Sequence, residues 1–363
     1  MKWTLVPAAR FPEFAAQWQA LHAASGASAL LAVEFVAPLV EGFADARVLL
    51  ASCSDRGATV AMALLKPGGR GAWATFQPAQ APLGLWLQQP GIALAPLADS
   101  LLAALPGFAL VLGLTQMDPA LSPRPLDAGR IRTRDYIDTA RVTIAGGFAD
   151  YWNARGKNLR ANLKKQHARL EKDGVAPHLE VSRAPEEMAA AVEDYGRLES
   201  SGWKAGCGTA VDAGNAQGRY YRAMLEAFCR RGAGSVYRYW FGEQLVAMDL
   251  CIEDRDAIVI LKTSYDEAVP KSLSPALLMR EEACRQLFDE GRFARIEFYG
   301  RVMEWHLRWT EDVRTMYHVN YYRWPGLARL HALLARGGKP GARPAVARAT
   351  DAQTKEASCN STK

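Results

Sequence analysis

The sequence predicts an α/β chain made of two tandem copies of one unit. Three observations lead there. Apolar residues alternate in paired runs, RVLLASC with ATVAMALL and SVYRYWF with LVAMDLCIE. Short polar turns (SDRG, GEQ) join each pair into a hairpin. Runs of helical periodicity separate the hairpins. Finally, VAMALL (60–65) matches VAMDLC (246–251). Each is the second arm of its hairpin, and the order around both is helix, three strands, helix, strand. Six residues are also within reach of shared strand composition.

In the first copy, FPEFAAQWQALHAA (11–24) has the 3.6-residue period of a helix. Runs at 46–53, 58–65 and 71–77 read as strands, 95–105 as a helix, and FALVLGLTQ (108–116) as a buried strand. DPALSPRPLDAG (118–129) is a proline-rich loop, and YIDTARVTI (136–144) alternates as a strand. In the second copy, 148–172 is helical and HLEVSR (178–183) is a short strand. Residues 186–202 and 219–232 are helices, and 234–241, 245–253 and 257–265 are strands. A helix starts at Pro275, followed by the strands RIEFYG (295–300) and RTMYHVNYYR (314–323). The expected division is 1–144, 145–336, and a tail, 337–363, too poor in aromatics to fold.

Bulk composition narrows the function. At 363 residues, 49% hydrophobic and 23% charged, this is a globular chain of two domains. A net charge of +6 suits an anionic ligand and is too mild to require nucleic acid. Six scattered cysteines, without C-x-x-C, read as reduced core residues. The start lacks the apolar core of a signal peptide, and the longest apolar run, ALLAVEFVAPLV, is interrupted by Glu34 and Pro38. No membrane span and a cytoplasmic setting are expected. The histidines lack metal-ligand spacing, so no metal is expected.

One stretch carries chemistry. LKTSYDEAVPKSLSPALLM (261–279) runs from a strand through a loop into a helix. Ser274 suits the N-cap and Pro275 the first helical position. Free amides there, with Lys271, favour an anion; an ordinary capped connection accounts for the same residues.

The second half resembles the GNAT superfamily of N-acetyltransferases, in particular its CelD/FemAB-like branch with two tandem GNAT-type units. The resemblance covers about 145–325. It rests on KNLRANLKKQHARLEKDG, LESSGWKAGCGTA, VAMDL, ILKTSYDEAVPKSLSPALL, and RIEFYG followed by EWHLRWT. It implies two mixed, mostly antiparallel sheets flanked by helices, the first degenerate and the second binding acyl-CoA. It also implies that Leu261, Lys262 and Thr263 line the pantetheine arm of acetyl-CoA, or of another acyl-CoA. Lys271, Ser272, Leu273 and Ser274 would hold its phosphates. KSLSPA departs from the superfamily's glycine-rich pyrophosphate signature, and without glycine a backbone approaches phosphate less closely.

Acyl transfer to an amine needs a proton acceptor, an oxyanion donor and an acid for the thiolate. Glu297, on the strand RIEFYG, is the candidate base; pairing with Arg295 or Arg301 is the competing reading. Asp249 is the second carboxylate, where the first copy has Ala63. Tyr299 and Tyr265 are candidate acids, although a tyrosine in a strand is more often simply a core residue. Arg160 and Lys164 lie on a basic helix face, either solvated or a wall for an acceptor. Trp203, Lys204, Trp305 and His306 complete the acceptor side. The expected reaction is acyl transfer from acyl-CoA to a small-molecule or saccharide amine, such as an amino sugar or polysaccharide precursor. The alternatives are a Fem-like aminoacyltransferase using aminoacyl-tRNA, an inactive GNAT-like module in polysaccharide biosynthesis, and a nucleic-acid binder.

Overall fold

The alternating runs of the sequence become the strands of two α/β units. The computed structural model describes residues 1–26, 28–200, 211–212 and 214–337. Contacts divide it into a first unit, Met1–Ile137 with the residues from Thr315 on, and a second unit, Asp138–Arg314.

The first unit contains β1 (Lys2–Pro7), α1 (Phe11–Ser25), α2 (Val33–Phe43), β2 (Leu49–Asp55), β3 (Ala58–Gly69) and β4 (Ala72–Thr75). It continues with β5 (Trp86–Gln88), α3 (Leu94–Ala104) and β6 (Val111–Met117). Strand β7 (Ile131–Thr143) leads on. The second unit holds α4 (Phe148–Asn153), α5 (Lys157–Lys172), β8 (Pro177–Ser182), α6 (Met188–Ser200), α7 (Ala216–Arg230) and β9 (Gly234–Phe241). After these come β10 (Gln244–Glu253), β11 (Ala257–Tyr265), α8 (Pro275–Glu290), β12 (Arg295–Glu297) and α9 (Glu304–Trp309). The chain ends with β13 (Val313–Tyr322) and α10 (Pro325–Gly337).

In the first unit β2, β3 and β4 form an antiparallel meander, β6 lies parallel to β4, and β13 pairs β6 antiparallel. Alternation decides the faces. Ala51, Cys53, Ala61, Ala63 and Leu65 meet Leu97, Leu101 and Leu102 of α3. The second unit repeats this plan. β9, β10 and β11 are the meander, β12 lies parallel to β11, and residues 141–143 of β7 pair β12 antiparallel. Leu159, Leu163 and Leu170 of α5 share one core with Leu278, Cys284 and Leu287 of α8. Helices α6 and α7 contact β11 and β9. Both units are therefore mixed, mostly antiparallel sheets flanked by helices, as the sequence predicts.

Several boundaries differ from the expectation. The helix expected over 148–172 breaks before Gly156, which takes an extended ψ of 135° and starts α5. The run read as a membrane candidate holds α2, with Pro38 inside it; no described helix is long and apolar enough to cross a membrane. The two outer strands also sit elsewhere. YIDTARVTI, assigned to the first copy, contributes the pairs with β12, and RTMYHVNYYR, assigned to the second, pairs β6. A strand's own pattern records which face is buried but not which neighbour it will find. The first unit thus includes residues 315–337, which the sequence division placed in the second. The tail from 338 lies outside the described residues.

Candidate active site

Strand β11 is the centre of the candidate site. β12 pairs it only over Ala257–Val259, whereas β10 follows it to Tyr265. The two parallel strands thus part company at Ile260. At the same place the register with β10 slips: Ile260 faces Cys251 and Lys262 faces Leu250, so Leu261 is an extra residue. A bulge of this kind bends the strand and re-aims its backbone groups. Leu261, Lys262 and Thr263 therefore lie where β11 leaves its parallel neighbour. Lys262 is held by its side chain, 3.9 Å from the Glu199 carboxylate and 5.8 Å above the Tyr221 ring. The Thr263 carbonyl accepts the Tyr195 hydroxyl at 3.2 Å.

Beyond β11 the chain turns into α8. Ser274 is the N-cap residue, but its side chain makes no cap hydrogen bond. Its N–H goes to Gln166 Oε1 of α5 at 2.7 Å. Arg169 of α5 donates to the Ser272 hydroxyl at 2.5 Å. Lys271 and Ser272 are exposed, Leu273 and Ser274 half-buried. The helix start thus carries two cations, Lys271 and Arg169, with one amide already taken by a neighbouring helix.

A buried ion pair lies behind this junction. Asp249 (β10) and Arg280 (α8) are 1% and 4% exposed and meet at 2.7 Å and 3.1 Å through a two-point fork. The Thr263 hydroxyl donates to the same carboxylate at 2.5 Å, since β10 and β11 place Asp249 opposite Thr263. The guanidinium also lies 5.6 Å over the Phe298 ring. Phe298 packs edge-on against Trp305 and His306, whose rings stack at 3.5 Å. Burial, and then the Arg280 charge, push the His306 pKa down to about 4. Its Nδ1 accepts the Met303 N–H at 3.0 Å. At neutral pH the ring is therefore uncharged with its proton on Nε2, a donor rather than a base.

Glu297, 4% exposed, ends β12. Arg314 donates to it at 2.8 Å, and Arg295 lies 3.5 Å away. Arg314 also covers the Tyr299 ring at 5.2 Å. Tyr299 itself has φ +46°, an unusual backbone for a residue with a side chain. Tyr265, 47% exposed, closes β11.

The structure therefore gathers Asp249, Thr263, Trp305 and His306 around Arg280 and Phe298, and sets Glu297 and Tyr299 on Arg314. Glu297 faces Val259 and Asp249 faces Thr263. Four residues of extended strand separate these positions, roughly 13 Å, so the carboxylates do not act as a pair. Lys271, Ser272, Leu273 and Ser274 sit together at the α8 start. Arg160 bonds back to the Arg155 carbonyl, and Lys164 is exposed on α5. Trp203 and Lys204 lie outside the described residues. Among the described residues no cluster of His, Cys, Asp or Glu has the makings of a metal site.

Sequence reasoning did not single out Arg280. Its signal was present: Arg280 falls on the apolar stripe of α8 with Leu277, Cys284 and Leu287, a position that buries a cation only opposite an anion.

Residues 157–307 match the acetyltransferase (GNAT) domain family. Among curated proteins none matches. Solved structures with this fold include the C-terminal domain of a putative lysylphosphatidylglycerol synthetase from Agrobacterium fabrum. It is 15% identical, covering 91% of this chain and 99% of that one, with a TM-score of 0.54. L-PGS from Bacillus licheniformis is 15% identical over 88% of this chain and 96% of that one, with a TM-score of 0.51. FemX is 10% identical over 91% and 99%, with a TM-score of 0.54. At such identities the likeness is one of fold. Residues 157–307 thus resemble a GNAT acetyltransferase domain, and the chain as a whole shares the fold of FemX.

Proposed function

We propose that the second unit transfers an acyl group from acyl-CoA to an amine by direct attack of the amine on the thioester. The observation that carries this reading is the coincidence of three features at one place. β11 bulges at Leu261, β12 leaves it there, and the next helix starts beside Lys271 and Arg169. The opened strand offers backbone groups to an extended pantetheine arm and to the developing oxyanion. The two cations take the phosphates in place of a glycine-rich loop.

In this reading the buried carboxylates hold the site's shape. Asp249 and Arg280 tie β10 and α8 together behind Thr263. Glu297 and Arg314 support Tyr299. Both carboxylates are taken up by arginine contacts, so the amine attacks as the free base and loses its N–H proton to solvent only after the C–N bond has formed, when that nitrogen is cationic and acidic. Tyr265 and Tyr299 are the proposed donors to the leaving thiolate. The amine acceptor is a small molecule or saccharide, met on the side of Trp305.

A second reading has one observation in its favour. Gln166 occupies the Ser274 amide, which a bound pyrophosphate would compete for, while α5 presents Lys157, Lys164, Lys165 and Lys172 to solvent. That face suits a longer polyanion, and with it an aminoacyl-tRNA donor. The likeness to FemX and to lysylphosphatidylglycerol synthetase domains supports the same alternative. The test is mass spectrometry of an amine panel incubated with the chain and either acetyl-CoA or charged tRNA. Acetylated product from acetyl-CoA alone supports the first reading, and product only from charged tRNA replaces it with the second.

A further inference from the structure

The first unit repeats the strand–loop–helix plan with different chemistry. β4 and β5 both run antiparallel to β3, Thr75 facing Leu65 and Trp86 facing Ala63. They are one strand line interrupted by residues 76–85, held at both ends by Leu64: its carbonyl accepts Phe76 N–H and its N–H reaches the Leu85 carbonyl. The interruption crosses to β6. Gly84 donates its N–H to the Thr115 carbonyl at 3.1 Å, and a Cβ on Gly84 would lie 2.2 Å from that oxygen. β4 pairs β6 only over Ala72–Ala74. Beyond Gly84, between the ends of β5 and β6 and the turn into α3, is a cavity of about 550 Å3. This corresponds topologically to the opening of β11 and the start of α8 in the second unit.

The walls say what fits. Trp86, Leu87, Ile92, Leu114 and Tyr317 supply an apolar body. No lysine, arginine or histidine lines the cavity, and its carboxylate is Asp118, itself 2% exposed. A phosphate-bearing coenzyme would meet that anion, while Arg124, 5.6 Å over the Tyr317 ring, is already bonded to Asp135. Beside Asp118, Gln116 is 2% exposed with φ +47°, a conformation that a residue with a side chain keeps only where its surroundings demand it. The volume falls within the roughly 300–1,000 Å3 of small-molecule sites, which are apolar with a few placed polar groups.

We infer that the first unit is a ligand-binding module in its own right, whose cavity takes a small non-anionic molecule with an apolar body and a hydrogen-bond-donating head, the head placed at Asp118. This does not depend on the donor used by the second unit.

The test is a titration of the full chain with N-phenyl-1-naphthylamine, an uncharged apolar fluorophore, followed by competition. Saturable fluorescence is expected. Octylamine and octanol should displace the probe at least tenfold more readily than octanoate, and CoA should not displace it. Leu121, 38% exposed on the cavity wall, is the blocking position: Leu121→Trp should weaken the probe about tenfold. Asp118→Asn should bring octylamine and octanoate towards equal potency. Non-saturable binding, displacement by CoA, or wild-type affinity in Leu121→Trp overturns the inference. If either variant fails to fold, hydrogen exchange on the wild-type chain decides. Octylamine should protect residues 84–94 and 114–122, and no protection there also overturns it.

Discussion

Arg280→Met removes the cation from a carboxylate with nowhere to go. Asp249 is 1% exposed, and the guanidinium supplies two of its contacts, at 2.7 Å and 3.1 Å. The remaining contact, the Thr263 hydroxyl, carries no charge. Breaking a buried pair from one side costs about 3–5 kcal/mol. For a unit of 150–250 residues each kcal/mol lowers the midpoint by about 2–4 °C, so the second unit should melt about 6–20 °C lower. Asp249→Leu combined with Arg280→Met removes both charges and keeps the volume apolar. It should recover most of that loss, short of about 1 kcal/mol for the stranded Thr263 hydroxyl. The assay is differential scanning calorimetry of the full chain, with the first unit's transition as internal reference. A drop below about 3 °C in Arg280→Met, or a double variant no more stable than the single one, refutes the assignment.

Other outcomes follow from the same contacts. His306 and His318 have pKa values lowered from 6.5 to about 4, each chiefly by burial. Between those values the unfolded chain binds more protons, so the stabilisation is complete above pH 6.5 and is lost as the pH falls through 4. Each contributes roughly 3 kcal/mol; urea unfolding at pH 7 and pH 4.5 measures it, and equal stability at both contradicts it. Gly84→Ala places a methyl 2.2 Å from the Thr115 oxygen. It should cost the first unit about 3 kcal/mol and leave the second unit's transition in place, as calorimetry would show. Glu297→Gln should lower thermal stability while leaving the pH dependence of turnover unchanged. A lost acidic limb would instead make Glu297 the base.

The division of labour between sequence and structure can be traced to particular residues. Hairpins and helices were legible because alternation and the 3.6-residue period are local. The αβ junction at Lys271–Ser274 was legible because capping chemistry is local too. The partners of the outer strands are not legible, because nothing within RTMYHVNYYR names β6. The bulge at Leu261 depends on the register between two strands, and no residue of β11 announces it. Glu297 is visible as a carboxylate in a strand, but its partner Arg314 lies across the turn through α9. Asp249 and Arg280 lie 31 residues apart on different elements, so no local pattern joins them, although each is the reason the other can be buried. Of the cysteines expected in the core, Cys53, Cys229, Cys251 and Cys284 are buried and free; Cys207 and Cys359 lie outside the described residues.

Isothermal titration of CoA into the wild-type chain and into a Lys271→Glu, Arg169→Glu variant reads the phosphate site directly. One CoA per chain is predicted, with affinity at least tenfold lower in the variant and the melting of both units unchanged. Equal affinity in the two proteins, or no heat with either, would contradict a diphosphate held where β11 gives way to α8.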